Sequence, residues 1–131
     1  MVKTKYDLKV EMTVAITMQD IDDIMANALE GGINYWCSEA EVVEECRVAD
    51  WGHEQIARGG KLLLHVDEPF DDEGTEVYEL TLDKLLYGIQ VWLANGGASA
   101  ITDESIDTCL VDDAASDSII QYAVFGELVY G

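Results

Sequence analysis

The hydrophobic pattern of the chain changes its period at Thr17, and this change limits the folds that the chain can adopt. Before Thr17, apolar residues alternate with polar or small ones at Leu8, Val10, Met12, Val14 and Ile16. This alternation predicts a half-buried strand over residues 8–16. After Thr17, apolar residues recur at helical spacing at Ile21, Ile24, Met25, Ala28 and Leu29. Thr17 and Asp20 are spaced as in a capping box, and Gly31 predicts a left-handed stop.

Further elements follow from local patterns along the chain. The segment INYWCSEAEVVEECRV favours two strands or one bent strand, although Ser38 and Glu41 also suit the cap of a short helix. A short helix is predicted over residues 53–58, followed by the strands KLLLHV and EVYELT, which we expect to form a hairpin. A second helix is predicted to begin at Thr81, and its apolar stripe consists of Leu82, Leu85, Leu86, Ile89 and Trp92 or Leu93. A third helix is predicted to begin after Asp112 or Asp113, and it is followed by a terminal strand, GELVYG. The sequence therefore predicts one α+β domain over residues 1–131, a mainly antiparallel sheet with about three helices packed on it.

The strongest compositional feature is charge. The 131 residues include 27 Asp and Glu against 7 Lys and Arg, a net charge of −20, while 49% apolar content suffices for a core. No basic residue follows Lys84. Direct binding to nucleic acid is therefore not expected, because such affinity comes mainly from Lys and Arg, and the same field disfavours anionic membranes. Acidity of this degree fits a solubility adaptation, a salty cytoplasm, or a surface that competes for a basic partner.

The sequence offers no targeting signal that we can identify. The first residues lack the continuous apolar run of a signal peptide, and no eighteen apolar residues are consecutive. The three cysteines, Cys37, Cys46 and Cys109, have no CxxC spacing, which is typical of reduced thiols. We therefore expect a protein of the cytoplasm of a bacterial host cell.

Metal, cofactor and catalytic sites are not predicted from spacing. In DEPFDDEGTEVYE, placing Gly74 at the sixth position of a calcium loop would put Pro69 first and Leu80 twelfth, where oxygen ligands are required. The two histidines, His53 and His65, are too far apart in sequence for a typical zinc pair. A pair of Cys37 or Cys46 with His53 has no motif to support it.

The remaining candidates for function are three acidic clusters and two tryptophans. Trp36 and Trp51 flank the first cluster, and an exposed Trp beside carboxylates suits an Arg-rich partner. The predicted partner-binding residues are Glu39, Glu41, Glu44 and Glu45; Asp67, Glu68, Asp71, Asp72, Glu73 and Glu76; Asp103, Asp107, Asp112 and Asp113; and Trp36 and Trp51.

Three segments, DIDDIMANALEGGINYWC, EQIARGGKL and IIQYAVFGELVYG, carry a resemblance. Together they make the chain similar to a group of small acidic uncharacterised proteins of bacteriophages and other bacterial mobile elements. The resemblance implies a context in which small acidic proteins inhibit host defence, including anti-CRISPR and anti-restriction proteins that imitate DNA. It assigns no role to any residue.

These observations lead to one functional hypothesis and two alternatives. The hypothesis is a non-enzymatic acidic inhibitor, a DNA mimic that binds a basic protein surface such as the nucleic-acid channel of a host nuclease or defence complex. The first alternative is an acidic interaction or assembly module of unknown target. The second is a small enzyme of unknown chemistry.

Overall fold

The computed structural model describes residues 4–131 and confirms the α+β class. The described residues form three α-helices, a three-stranded antiparallel sheet and a small two-stranded sheet. The helices are α1 (Met18–Asn27), α2 (Leu82–Ala94) and α3 (Asp113–Phe125). The strands are β1 (Cys37–Val42), β2 (Leu62–Val66), β3 (Val77–Leu80), β4 (Ile101–Thr102) and β5 (Ser105–Ile106).

The start of α1 follows the sequence prediction, and its end does not. The side chain of Thr17 accepts from the backbone N–H of Asp20, and the carboxylate of Asp20 accepts in return from the backbone N–H of Thr17. At its other end α1 continues into a π-helical turn, Ala28–Gly32, so the predicted left-handed stop at Gly31 is wrong. A side chain at Gly32 would meet the backbone oxygen of Asp113 at 2.7 Å. The wide turn therefore brings bare backbone against the first turn of α3.

The large sheet has the order β1-β2-β3, and the predicted hairpin of β2 and β3 is confirmed. Residues 33–36 form a turn, and β1 is a single strand that pairs with β2. One face of the sheet is buried, and it carries Leu62, Leu64, Val66 and Leu80. Because side chains alternate along a strand, the other face carries Glu39, Glu41 and His65 toward solvent.

The core lies between the inner face of the sheet and the three helices. Its fully buried aliphatic side chains include Ile24, Ile56, Leu64, Leu85 and Ile119. Helices α2 and α3 pack closely because α2 has a glycine at the crossing: a Cβ on Gly88 would lie 2.4 Å from the backbone oxygen of Ile119. The predicted stripe of α2 is confirmed at Leu85 and Ile89 and is wrong at Leu86, which is 38% exposed.

Residues 8–16 do not form the predicted strand. The segment has only an isolated bridge, in which the N–H of Ala15 donates to the oxygen of Glu104 and the oxygen of Ala15 accepts from the N–H of Ile106. Alternation makes a segment amphipathic, but a strand also needs a neighbour to bond its backbone. Within residues 8–16, the neighbouring β4–β5 hairpin forms backbone hydrogen bonds with Ala15 only.

The predicted terminal strand GELVYG and the short helix at residues 53–58 also differ from the structure. Residues 127–131 form no strand, since the side-chain amide of Gln121 bonds the backbone of Val129 and Tyr130 instead. Residues 52–58 form two short 3-10 turns that end at the left-handed Gly59. Within residues 4–131, none of the helices has both the length and the apolar character needed to cross a membrane.

Candidate partner-binding surface

The first candidate surface for binding a partner is the acidic loop, residues 67–76, which connects β2 to β3. Its conformation is fixed at two points. The ring of Phe70 stacks on Tyr78 with centroids 6.0 Å apart and meets the edge of Phe125 at 5.0 Å. Within the loop, the carboxylate of Asp71 accepts from the backbone N–H of Thr75 at 2.7 Å and from its hydroxyl. The loop is thus an ordered platform attached to the aromatic part of the core.

The six predicted acids of this loop have two different roles. Hydrogen bonds from the side chain and backbone of Thr75 hold the pKa of Asp71 below its ordinary value, so this carboxylate organises the loop. The other carboxylates are exposed and have no Lys or Arg partner within the described residues. They are Asp67, Glu68, Asp72, Glu73 and Glu76.

The acids of β1 lie beside the strand from which the acidic loop begins. Glu39 lies directly opposite His65 in the ladder, and the acidic loop begins two residues after His65. At the same place the backbone N–H of Val66 donates to the oxygen of Glu76. We call the combined surface the acidic face. It comprises Glu39, Glu41, Asp67, Glu68, Asp72, Glu73 and Glu76.

Two glutamates of the acidic face, Glu39 and Glu41, lie within reach of His65. Nε2 of His65 is 2.9 Å from Oε1 of Glu41 and 3.8 Å from Oε1 of Glu39. One ligand atom from each residue lies within 4.8 Å of the others. Carboxylate oxygen and imidazole nitrogen are zinc ligands, so these three side chains are the described residues best placed to hold a divalent ion. Sequence spacing missed the group because His65 comes from the neighbouring strand.

The rest of the first predicted cluster is partly neutralised. Glu44 forms a two-point ion pair with Arg47, with nitrogen to oxygen distances of 2.7 and 2.8 Å. Its hydrogen bonds to Arg47 hold the pKa of the Glu44 carboxyl below its ordinary value. Glu45 is exposed in the 3-10 turn Glu44–Cys46. Of Glu44 and Glu45, Glu45 therefore remains a candidate for binding a cation of a partner.

The third predicted cluster is spread over several local structures. Asp103 lies in the tight turn between β4 and β5, with a left-handed φ of 50°. The carboxylate of Asp107 caps a 3-10 turn by accepting from Cys109 N–H at 3.0 Å, and that of Asp112 caps α3 by accepting from Ala115 N–H at 2.8 Å. Asp113 is exposed in the first turn of α3, beside Gly31. Caps stabilise helix ends, so Asp107 and Asp112 have structural roles.

The prediction that Trp36 is an exposed anchor is wrong. Trp36 is 2% exposed and stacks on Tyr130 with centroids 5.4 Å apart. Its indole N–H donates to Asp117, the last acid of the third cluster, which is not among the predicted partner-binding residues. Trp51, in contrast, is 66% exposed and remains available as an aromatic contact.

The four Lys and Arg side chains of residues 15–131 do not neutralise the acidic face. Arg47 binds Glu44, Arg58 binds the buried Asp22, and Lys61 lies 3.7 Å from Glu79. Lys84 donates to the backbone oxygen of Glu79. Each of these four side chains thus contacts a group of the protein outside the acidic face.

Comparisons with known proteins give no further guide. No protein-family model, no curated protein and no solved structure matches this chain.

Proposed function

We propose that the protein is a non-enzymatic acidic inhibitor that occupies the basic nucleic-acid channel of a host nuclease or defence complex. The observation that carries the proposal is the acidic face. Seven exposed carboxylates lie on β1 and the acidic loop, and none is paired with Lys or Arg within the described residues. A surface of this kind attracts the Lys and Arg that line a nucleic-acid channel.

The order of the acidic loop strengthens this proposal. Phe70 and the hydrogen bonds of Asp71 hold the backbone that carries Asp72 and Glu73 in place before any partner arrives. A preorganised loop loses little conformational entropy on binding, so more of the electrostatic attraction becomes affinity. A loop that served solubility alone has no need of such an anchor.

Competition by DNA tests the proposal. The immobilised protein is exposed to a bacterial lysate at low salt, and retained proteins are eluted with duplex DNA and identified by mass spectrometry. We expect nucleic-acid-binding proteins with basic channels in the DNA eluate. Proteins that duplex DNA does not elute but high salt does would instead support the alternative, an acidic interaction module of unknown target.

Two matched variants locate the contact. The first, E68Q/D72N/E73Q, removes three charges from the acidic face. The second, E30Q/D83N/E104Q, removes three exposed charges elsewhere. We expect the first variant to bind a purified target more weakly, with a shallower salt dependence, and the second to bind as the wild type does. Equal losses in both variants would contradict a specific role for the acidic face.

A further inference from the structure

Within residues 4–131, one amphipathic segment has no partner. This segment, the arm, comprises residues 4–14. Its large apolar side chains, Tyr6, Leu8, Val10 and Met12, are between 57% and 88% exposed. Among the described residues, no backbone hydrogen bond attaches the arm before Ala15. The arm thus exposes both a row of apolar side chains and an unbonded backbone edge, which natural proteins normally cover.

A groove beside the arm is filled by none of the residues that the structure describes. It has a volume of about 1100 Å³ and lies between residues 10–16 and α2. Apolar side chains of α2 and the β4–β5 hairpin, among them Leu86, Ile89 and Ile106, line its other side. A two-stranded ribbon alone is marginally stable in water, whereas one packed against a helix is stabilised. The groove therefore supports the end of a second strand that lies opposite residues 10–12 of the arm.

We propose that the occupant is the arm of a second copy of the chain, and that two arms pair antiparallel about a two-fold axis at Leu8. In this register Lys5 lies opposite Glu11 and Asp7 lies opposite Lys9, and the axis repeats both pairs. Opposite charges directly across an antiparallel pair stabilise it, and like charges destabilise it. The apolar residues face one another as well, with Tyr6 opposite Val10.

Neighbouring registers are excluded by the same charges. An axis at Asp7 sets Asp7 against its own copy and Lys5 against Lys9. An axis at Lys9 sets Lys9 against its copy and Asp7 against Glu11. Registers shifted by an odd number of residues set apolar side chains against polar ones. Among registers centred on a described residue of the arm, the Leu8 register is the one that sets all four charges opposite an opposite charge, as an isologous interface favours.

The charge distribution of the chain also favours the pairing of two copies through their arms. The described arm holds two lysines and two acids, so it is electrically balanced, whereas the remainder of the chain is strongly acidic. Neither Lys5 nor Lys9 is within ion-pair distance of a carboxylate in the described part of its own chain. Two acidic bodies repel each other, so pairing through extended balanced arms keeps the bodies apart.

A charge-swap experiment tests this pairing. Variant K5E/K9E has an entirely acidic arm, and variant D7K/E11K has an entirely basic one. By light scattering after size exclusion, we expect wild type to be a dimer and each variant alone to be a monomer. An equimolar mixture of the variants should form a 1:1 heterodimer, because every pair in the Leu8 register is then of opposite charge. Variant D72K/E73K, with the same gain of charge as D7K/E11K, should remain a dimer.

Covalent capture tests the register. In a chain with Cys46 and Cys109 replaced by Ser, L8C should form a disulfide-linked dimer on mild oxidation, since both Leu8 residues lie on the axis, and K9C should not. The exposed arm leaves the core untouched, so circular dichroism of every variant should match wild type. Monomeric wild type at high micromolar concentration, or a mixture that stays monomeric, would overturn the proposal.

Discussion

The indole N–H of Trp36 donates a hydrogen bond to Oδ1 of Asp117 across 2.7 Å, and this bond fixes the turn before β1 to α3. The hydroxyl of Tyr35 donates to Oδ2 of the same carboxylate, and the side-chain amide of Gln121 donates to Oδ1 at 2.9 Å. A single carboxylate thus accepts from three side chains. Because it holds the residue that leads into β1, Asp117 orients the strand that carries Glu39 and Glu41.

Replacing Asp117 with Asn tests this network. An amide has one acceptor oxygen, and its NH₂ group would face the existing donors. We expect a loss of about 1–3 kcal/mol in the free energy of unfolding, measured by urea denaturation. The exposed change Glu127→Gln serves as a control and should have little effect. Equal stability of D117N and wild type would show that the network contributes nothing.

Tyr35 should make stability sensitive to alkaline pH. Burial of its hydroxyl and the hydrogen bond to Asp117 raise the pKa of Tyr35 from 10.0 to about 12. The folded state therefore keeps a proton that the unfolded chain loses. The resulting stabilisation is complete below pH 10 and is lost as the pH rises to about 12. Denaturation of wild type and Y35F across this range should show a shallower decline for Y35F, and parallel declines would contradict the assignment.

Two aspartate substitutions separate core from surface on the helices. Ile24 is 0% exposed, so I24D buries an unpaired charge and should abolish cooperative unfolding. Leu86 lies at the surface of α2, and L86D should keep the wild-type circular dichroism spectrum and a cooperative melt. An unfolded L86D would mean that Leu86 belongs to the core of the single chain and not to the groove beside the arm.

Within the acidic loop, substitution of Asp71 should affect thermal stability differently from substitution of its neighbour Asp72. D71N weakens the bonds to Thr75 and should lower the midpoint of thermal unfolding, whereas the exposed change D72N should leave it unchanged or raise it. Because the folded pKa of Asp71 is depressed, its stabilisation is present at neutral pH and lost as the pH falls through that pKa. The difference between D71N and wild type should therefore shrink in acid.

Gly88 should resist replacement by a better helix former. Alanine is favoured in a helix by about 1 kcal/mol over glycine. At this position, however, its Cβ would meet the oxygen of Ile119 at 2.4 Å and the Cβ of Ala123 at 2.8 Å. We expect G88A to lower the melting temperature, while Q90A, on the exposed side of the same helix, does not. A more stable G88A would show that α2 and α3 separate at no cost.

The elements that the sequence predicted correctly are those set by local chemistry. Thr17 and Asp20 define a helix start within four residues, and β2 and β3 meet across one loop. Trp36 was misplaced because its burial depends on Asp117, 81 residues away. The arm was misassigned because alternation reports amphipathicity and says nothing of a bonding neighbour. The sequence shows where acids cluster, but spacing does not distinguish Asp72, whose carboxylate has no hydrogen-bond partner among the described residues, from Asp112, whose carboxylate caps a helix.

The contacts of Gln121 and Tyr130 have a mechanical consequence. The side-chain amide of Gln121 holds the backbone of Val129 and Tyr130, and the hydroxyl of Tyr130 donates to the backbone oxygen of Glu68. Residues 127–131 therefore act as a tether between α3 and the acidic loop. Cleavage of the chain after Gly126, or a bulky fusion to Gly131, would slacken that tether and disturb a surface that lies some sixty residues earlier in the sequence.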